Sequence, residues 1–303
     1  MTVAITGGTG FVGQAVLDLL EERGETARVL ARNPPESRLD FDWVQGGLAE
    51  KFVLDDFVAG AETVIHIAGL TTARKPEHME IANVTGTLNL VEAAKGAGVR
   101  RFIFVSSLAA REPLLSAYGG SKARAERIVA ASGMDWTIVR PPGVYGPRDR
   151  DYLEMFKAAQ KRVIPVPSKR GRSSLIHVED LARLLLDLVP SREETTHAIF
   201  EPDDGRAGGW THGDLARTIS WAVGSKAAVL HLPDWALRLA AHLDERIRGA
   251  RARLTTDRAS YLVHPDWVVS PRRAVPEAIW RPQVPPRKGL RDTAEWYRQV
   301  RWL

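Results

Sequence analysis

Tyr118 and Lys122 stand four residues apart in the run Tyr118-Gly119-Gly120-Ser121-Lys122, a spacing that stacks their side chains on one helical face. A free phenol titrates at about 10, too high to exchange protons readily at neutral pH. A neighbouring ammonium lowers that value and equips the tyrosine to pass a proton to or from a hydroxyl or carbonyl oxygen. Upstream, Ser106-Ser107 closes the apolar run Arg101-Phe102-Ile103-Phe104-Val105, and Ser107 can hydrogen-bond the same oxygen that Tyr118 protonates. A tyrosine and lysine at this spacing occur on many surface helices. Here a glycine-rich turn, a strand-end serine and the Tyr/Lys helix follow one another along the chain, and the three together describe a proton-transfer site beside a bound nucleotide.

Such side chains need a scaffold, and the N-terminal half supplies one. Val3-Ala4-Ile5 reads as a short buried strand, followed by Thr6-Gly7-Gly8-Thr9-Gly10-Phe11-Val12-Gly13 and a helix to Glu22 with Val12, Val16, Leu17 and Leu20 on one face. Glycines at 7, 10 and 13 form a relative of the dinucleotide fingerprint: they permit a tight turn, close approach to a pyrophosphate, and close helix–sheet packing. The helix N-terminus offers free N–H groups and positive dipole to phosphates, so Gly7, Thr9, Gly10, Phe11, Val12 and Gly13 form the expected cradle. Further strands are expected at 28–31, 42–45, 63–68, 101–106 and 136–140, alternating with helices near 83–95 and 118–132. That alternation predicts a parallel sheet covered on both faces, with ligands at the carboxyl ends of its strands. Residues 175–180 are expected to return to this sheet and open a helix over 181–189.

The fold class is therefore α/β, a Rossmann-type doubly wound parallel sheet with a smaller, mostly helical C-terminal substrate region. Residues 1–145 form the nucleotide-binding domain, with 172–200 returning to it, and 146–171 with 201–303 form the substrate region. The composition of the 303 residues, 44% hydrophobic and 26% charged, is that of an ordinary soluble globular protein. Forty-two basic against 37 acidic residues give +5, but no nucleic-acid-reading motif accompanies the charge, so a small-molecule substrate is expected and nucleic acid is not. The absence of cysteine excludes disulfides, thiolate metal sites and a cysteine nucleophile. The eight histidines are dispersed without metal-ligand spacing, so no metal is expected. No uncharged apolar run approaches the roughly twenty residues of a membrane span, and no leader fits before the first strand, which points to the cytoplasm. Arg246, Arg248, Arg251 and Arg253 follow the apolar Trp235, Leu237, Leu239 and Leu243. This stretch reads as a lid-domain helix with one solvated face in preference to a membrane contact. Five of the nine tryptophans fall after residue 230 and either line an apolar pocket or fill a small core.

The motifs resemble the short-chain dehydrogenase/reductase superfamily in its extended branch, the NAD(P)-dependent epimerase/dehydratase family. The matching segments are 6–13, His66-Ile67-Ala68-Gly69, Asn83-Val84-Thr85-Gly86-Thr87, Val105-Ser106-Ser107, 118–122, 140–148 and Ile176-His177-Val178-Glu179-Asp180. Residues 289–297 are more weakly similar to the terminal helix of steroid-dehydrogenase-like members. The resemblance implies that Ser107, Tyr118 and Lys122 are the catalytic set, with Lys122 also holding the nicotinamide ribose. It implies that Ala68, Gly69 and Val105 line the cofactor path and that Pro141, Gly143 and Val144 lie against the nicotinamide. Leu108, Arg148 and His177 are the expected substrate contacts, and His66 is expected to pack beside the cofactor loop.

Two departures from the family pattern bear on the cofactor. Relatives that prefer NAD end the second strand with an acidic residue for the ribose diol; this chain has Ala31 followed by Arg32, which can pair with a 2′-phosphate. Gly47 occupies a place where a carboxylate is common near adenine, leaving adenine to backbone groups and Leu48. The first departure favours NADP(H) over NAD(H); the second weakens adenine binding without abolishing it. The expected reaction is hydride transfer on a carbonyl/alcohol pair of a small substrate, with a weak tilt toward an apolar one. Nucleotide-sugar epimerisation or dehydration is the alternative enzyme, and a non-catalytic NADP(H)-binding sensor or assembly protein is the alternative outside catalysis. A homodimer stays open.

Overall fold

Four-residue strands with every side chain buried, such as Val3–Thr6 and Thr63–His66, are the mark of a sheet covered on both faces. The computed structural model describes residues 2–38, 40–73, 75–167, 171–249, 252 and 254–303; Arg251 and Arg253 of the basic run lie outside the described residues. The first half runs β1 (Val3–Thr6), α1 (Phe11–Glu22), β2 (Arg28–Ala31), β3 (Asp42–Gln45), α2 (Lys51–Val58) and β4 (Thr63–His66). It continues with α3 (Pro76–Glu80), a π-helical turn (Ile81–Thr85), α4 (Gly86–Gly96), β5 (Arg101–Val105), a 3-10 turn (Leu108–Arg111), α5 (Ala117–Ala130) and β6 (Asp135–Val139). Then come β7 (Gly143–Tyr145), α6 (Leu153–Gln160), β8 (Val163–Val166), β9 (Arg172–Ser173), β10 (Leu175–His177), α7 (Val178–Asp187) and β11 (Ala198–Phe200). The last part holds β12 (Trp210–Thr211), α8 (His212–Ala222), β13 (Ala228–His231), α9 (Asp234–Arg248), α10 (Thr256–Val263), β14 (Asp266–Trp267) and α11 (Pro286–Gln299).

These elements form two compact units. The first comprises Met1–Pro141, Glu179–Pro202 and Arg272–Arg281. Its seven-stranded sheet has the order β11-β6-β5-β4-β1-β2-β3, all parallel. The order reverses between β1 and β4, the switch point where such sheets bind nucleotides. Strand side chains Ala4, Leu30, Val64, Phe102, Phe104 and Ile138 share one core with Leu54 and Phe57 of α2, Leu90 of α4 and Val129 of α5.

The second unit comprises Pro142–Val178, Asp203–Pro271 and Pro282–Leu303. Its core joins Tyr145, Phe156, Ile164, Trp210, Ile219, Leu290 and Tyr297. Trp296 and Trp302 pack against that core and Trp267 is buried, so most of the late tryptophans fill the interior; Trp235 is exposed.

One expectation is corrected. Leu175–His177 does not join the main sheet but pairs in parallel with β7 in a separate two-stranded sheet, Ile176 opposite Val144. The place beside β6 is filled by β11, Ile199 opposite Ile138. A three-residue apolar run satisfies either sheet equally well, so the choice is made by which chain lies beside it.

Candidate active site

The glycine turn is built as the fingerprint requires. Gly7 has φ +78°, and a Cβ there would come within 2.7 Å of Ala68 N. At Gly13 a Cβ would meet Gly7 O at 2.0 Å, so only glycine lets α1 pack this closely on the turn. Gly10 differs: its φ is ordinary and a Cβ would meet only Gly7 O, at 3.2 Å. The turn itself does not demand a glycine there, whereas a phosphate drawn close to the backbone does. Gly10 is the N-cap of α1 without a side-chain cap, and the first turn carries no acidic residue, so its N–H groups and dipole are left for an anion. The residues fit the pyrophosphate of a dinucleotide.

The residues expected to transfer the proton lie just after β5 and on α5. Ser107 follows β5 and caps the 3-10 turn, its Oγ accepting from Ala109 N at 3.2 Å. The first turn of α5 is capped by Ser116, whose Oγ accepts from Gly119 N at 3.0 Å. A Cβ on Gly119 would come within 2.5 Å of Ala109 O, so this glycine lets α5 lie directly on the turn that Ser107 begins. Tyr118 is half-buried and Lys122 follows one turn later, buried. Lys122 Nζ donates to Val105 O at 2.7 Å and sits 4.5 Å from the centre of the Phe104 ring. Burial pulls its pKa down to about 8, with the nearby Glu126 carboxylate pulling the other way. A Cβ on Gly69 would lie 3.5 Å from Nζ and 3.1 Å from Asn83 Oδ1; the glycine keeps the space beside the ammonium open.

Three further groups, of which sequence reasoning assigned a role only to His66, hold this set in place. Asn83, in the π-helical turn, accepts from Leu70 N at 2.7 Å and donates to Leu70 O and Ser121 Oγ, both at 2.9 Å. Ser121 Oγ in turn donates to Tyr118 O at 2.8 Å, so one amide ties the loop after β4 to α5. π-helical turns recur at functional sites, but nothing in the spacing of residues 83–87 shows that one forms here. The second group is Glu126, which accepts from Ser106 Oγ at 2.5 Å and from Arg140 at 2.8 and 2.6 Å. This bidentate pair joins α5 to the ends of β5 and β6. Behind it, fully buried Glu201 lies 3.6 Å from Arg140 and 3.7 Å from Arg273. The third is His66. Its Nδ1 lies 2.6 Å from Thr6 Oγ1, which accepts from Ala68 N, and its Nε2 lies 3.0 Å from Thr87 Oγ1, which donates to Asn83 O. This chain closes with a neutral imidazole protonated on Nε2, and burial keeps the pKa down at about 3. The expected packing role of His66 beside the loop is thus a hydrogen-bonding one.

The adenosine-side residues lie at the ends of β2 and β3. Arg32 is exposed, directly after β2. A Cβ on Gly47 would lie 3.6 Å from Arg32 Cγ, so the two departures from the family pattern are neighbours. Gly47 N donates to Glu50 Oε1 at 2.8 Å, and Leu48 packs under α4, its carbonyl accepting from Asn89 at 2.8 Å. Leu108 is buried, and its N donates to Pro141 O at 2.9 Å. Gly143, Val144, Arg148 and His177 belong to the second unit. There a Cβ on Gly143 would collide with the Tyr152 hydroxyl at 2.0 Å, Arg148 takes φ +75°, and buried His177 meets the Tyr145 ring edge-on at 5.2 Å. Surface cavities of about 430 Å³ beside Trp43 and Phe52 and about 300 Å³ beside Trp210 and Arg287 are lined by none of these residues.

Ceramide reductase of Caulobacter vibrioides is 38% identical over 313 residues, covering 99% of this chain and 96% of its own. The 4-hydroxy-2-methyl-3-oxo-4-farnesyl-3,4-dihydroquinoline-1-oxide ketoreductase of Stigmatella aurantiaca is 30% identical over 276 residues, covering 82% and 80%. Among solved structures, MoeE5 in complex with UDP-glucuronic acid and NAD aligns with a TM-score of 0.75 at 20% identity over 99% and 100% of the two chains, a likeness of fold. The model of the NAD dependent epimerase/dehydratase family matches residues 3–200. With the glycine turn, the strand-end serine and the Tyr/Lys helix in their places on one sheet, the chain belongs to that family.

Proposed function

We propose that this protein is an NADP(H)-dependent oxidoreductase that interconverts a carbonyl and an alcohol on a small substrate bearing a long apolar chain. The observation that carries the reading is the complete set Ser107, Tyr118 and Lys122 on β5 and α5, tied through Ser121 and Asn83 to the loop after β4. A bound nicotinamide nucleotide supplies or accepts the hydride. In the reducing direction Ser107 Oγ orients the carbonyl oxygen and the Tyr118 hydroxyl gives its proton to that oxygen as negative charge develops. The Lys122 ammonium favours the phenolate left behind, and its bond to Val105 O holds it in position. One hydride and one proton convert the carbonyl to the alcohol, so the step balances.

NADP(H) is supported by the absence of any carboxylate at positions 31, 32 and 47. The Arg32 stem passes Gly47, and the nearby Glu50 carboxylate is engaged by Gly47 N at 2.8 Å. The apolar substrate is supported by the two reductase relatives, whose names specify a ceramide and a farnesyl-bearing quinoline oxide.

The test follows NADPH absorbance with purified protein and a panel of long-chain ketones, including a keto-form ceramide. Net NADPH consumption that vanishes in Tyr118→Phe is the expected result. Turnover that survives this substitution removes Tyr118 from its role. Conversion of a nucleotide sugar without net NADPH loss replaces the reading with epimerisation, because an epimerase returns the hydride to its substrate. Binding of NADPH no tighter than NADH overturns the cofactor assignment.

A further inference from the structure

Helix α9 is turned opposite to an ordinary surface helix. Its buried residues are the small strip Leu237 and Ala241, on a helix that packs with α10. Its large apolar residues point outward: Trp235 is 68% exposed, Leu239 51%, Leu243 47% and Ile247 80%. These four recur in steps of four and form one continuous stripe along about 18 Å of helix. Arg238, His242 and Arg246 recur in the same steps three residues on, and all are exposed, so they form the adjoining stripe. The acidic groups of the later turns are occupied elsewhere. Asp244 accepts from Leu254 N at 3.0 Å, and Glu245 accepts from Thr256 N at 2.9 Å and Thr256 Oγ1 at 2.6 Å. The carboxylates of the later turns thereby hold the segment that follows, Asp244 also pairing with Arg248 at 3.2 Å, while Arg238 and Arg246 stand beside the apolar stripe. Asp234, in the first turn, is the one acidic residue left exposed on the helix.

We infer that this face of α9 docks in the plane of an anionic phospholipid surface, with Trp235, Leu239, Leu243 and Ile247 in the acyl boundary and Arg238 and Arg246 at the headgroups. An apolar stripe rich in Trp and Leu beside a basic one is the pattern that lies in a bilayer interface. A second copy of the chain is the poorer occupant, because in an antiparallel pairing two identical basic stripes would meet. One face of a four-turn helix also falls well short of the roughly 800 Å² per partner that a stable dimer buries. The inference stands apart from the reaction, since vesicles carry neither reducible carbonyl nor nucleotide.

The test is co-sedimentation of the full chain with sucrose-loaded vesicles, either pure phosphatidylcholine or phosphatidylcholine mixed with phosphatidylglycerol, at low salt. Binding to the anionic vesicles is expected, at least about tenfold tighter than to the neutral ones. Ile247→Asp and Leu239→Asp should each weaken it by roughly tenfold or more, and Arg246→Glu by severalfold. These side chains are exposed, so the fold is kept, as far-UV circular dichroism checks. No sedimentation with either lipid, or binding indifferent to all three substitutions, overturns the inference. A doubled molar mass in light scattering that Ile247→Asp abolishes, without vesicle binding, assigns the face to a second copy and overturns it equally.

Discussion

Helices α5 and α9, 14 and 15 residues long, break the division between buried apolar and exposed polar side chains in opposite directions. Along α5 the buried set includes Ser121, Lys122 and Glu126, while α9 exposes Trp235, Leu239, Leu243 and Ile247. Each misplaced polar group of α5 finds its partner inside the chain: Asn83 and Tyr118 O for Ser121, Val105 O for Lys122, Ser106 and Arg140 for Glu126. The misplaced apolar groups of α9 have no such compensation, because water cannot satisfy an apolar surface. A polar misfit that is fully partnered points inward, to chemistry. An apolar misfit points outward, to whatever covers it.

The sharpest way to break that contrast is Tyr118→Phe. Loss of the proton donor should lower kcat by about a hundred- to ten-thousandfold, roughly 3–5 kcal/mol of barrier, with the urea midpoint almost unchanged. If kcat survives, α5 is a structural helix after all. Glu126→Ala comes next. It leaves Arg140 and Ser106 without their shared carboxylate in a buried setting and should cost about 3 kcal/mol in urea unfolding.

Lys122→Met should move stability and activity in opposite directions. The buried ammonium has its pKa pulled from 10.5 to about 8. A depressed lysine is a burden below the folded value, and that burden fades as pH rises from about 8 to 10.5, where the unfolded chain holds the extra proton. At neutral pH the variant should therefore be more stable, by about 2 kcal/mol after loss of the bond to Val105 O, while turnover disappears. The wild-type advantage in kcat/KM should fall above pH about 8, where the ammonium is lost. A stability difference between the two proteins that is flat with pH would rule out a buried charge at this position.

Arg32→Ala should weaken NADPH binding by about ten- to a hundredfold and leave NADH nearly untouched, measured by fluorescence titration. On α9 the smallest effect is expected: Ile247→Ser should shift the unfolding free energy by no more than about 0.5 kcal/mol, since the side chain is already in water. A larger loss would mean that the stripe is covered within the chain.

Much of the cofactor scaffold was legible because its signals are local. Gly7 and Gly13 are demanded by a turn only a few residues long, and Tyr118 and Lys122 are set on one face by helical pitch alone. The strands from Val3–Thr6 to Asp135–Val139 could be read because fully buried parallel strands are short apolar runs between helices. Asn83 was visible as part of a motif, yet its work depends on Leu70 and Ser121, the latter 38 residues away. Glu126 gave no signal and Arg140 showed only as part of a motif, because an ion pair between a helix and a distant strand end has no fixed spacing.

By itself, then, the sequence determined the family, the placing of Tyr118 and Lys122 on one helical face, and the glycine geometry of the nucleotide turn. All of these follow from backbone dihedrals and side chains a few residues apart. The tertiary structure alone decided that Leu175–His177 pairs with Gly143–Tyr145, that Asn83 and Glu126 hold α5, and which side of α9 is covered. Periodicity sets the axis along which a helix divides apolar from polar, but packing by chain distant in sequence selects the side that is buried.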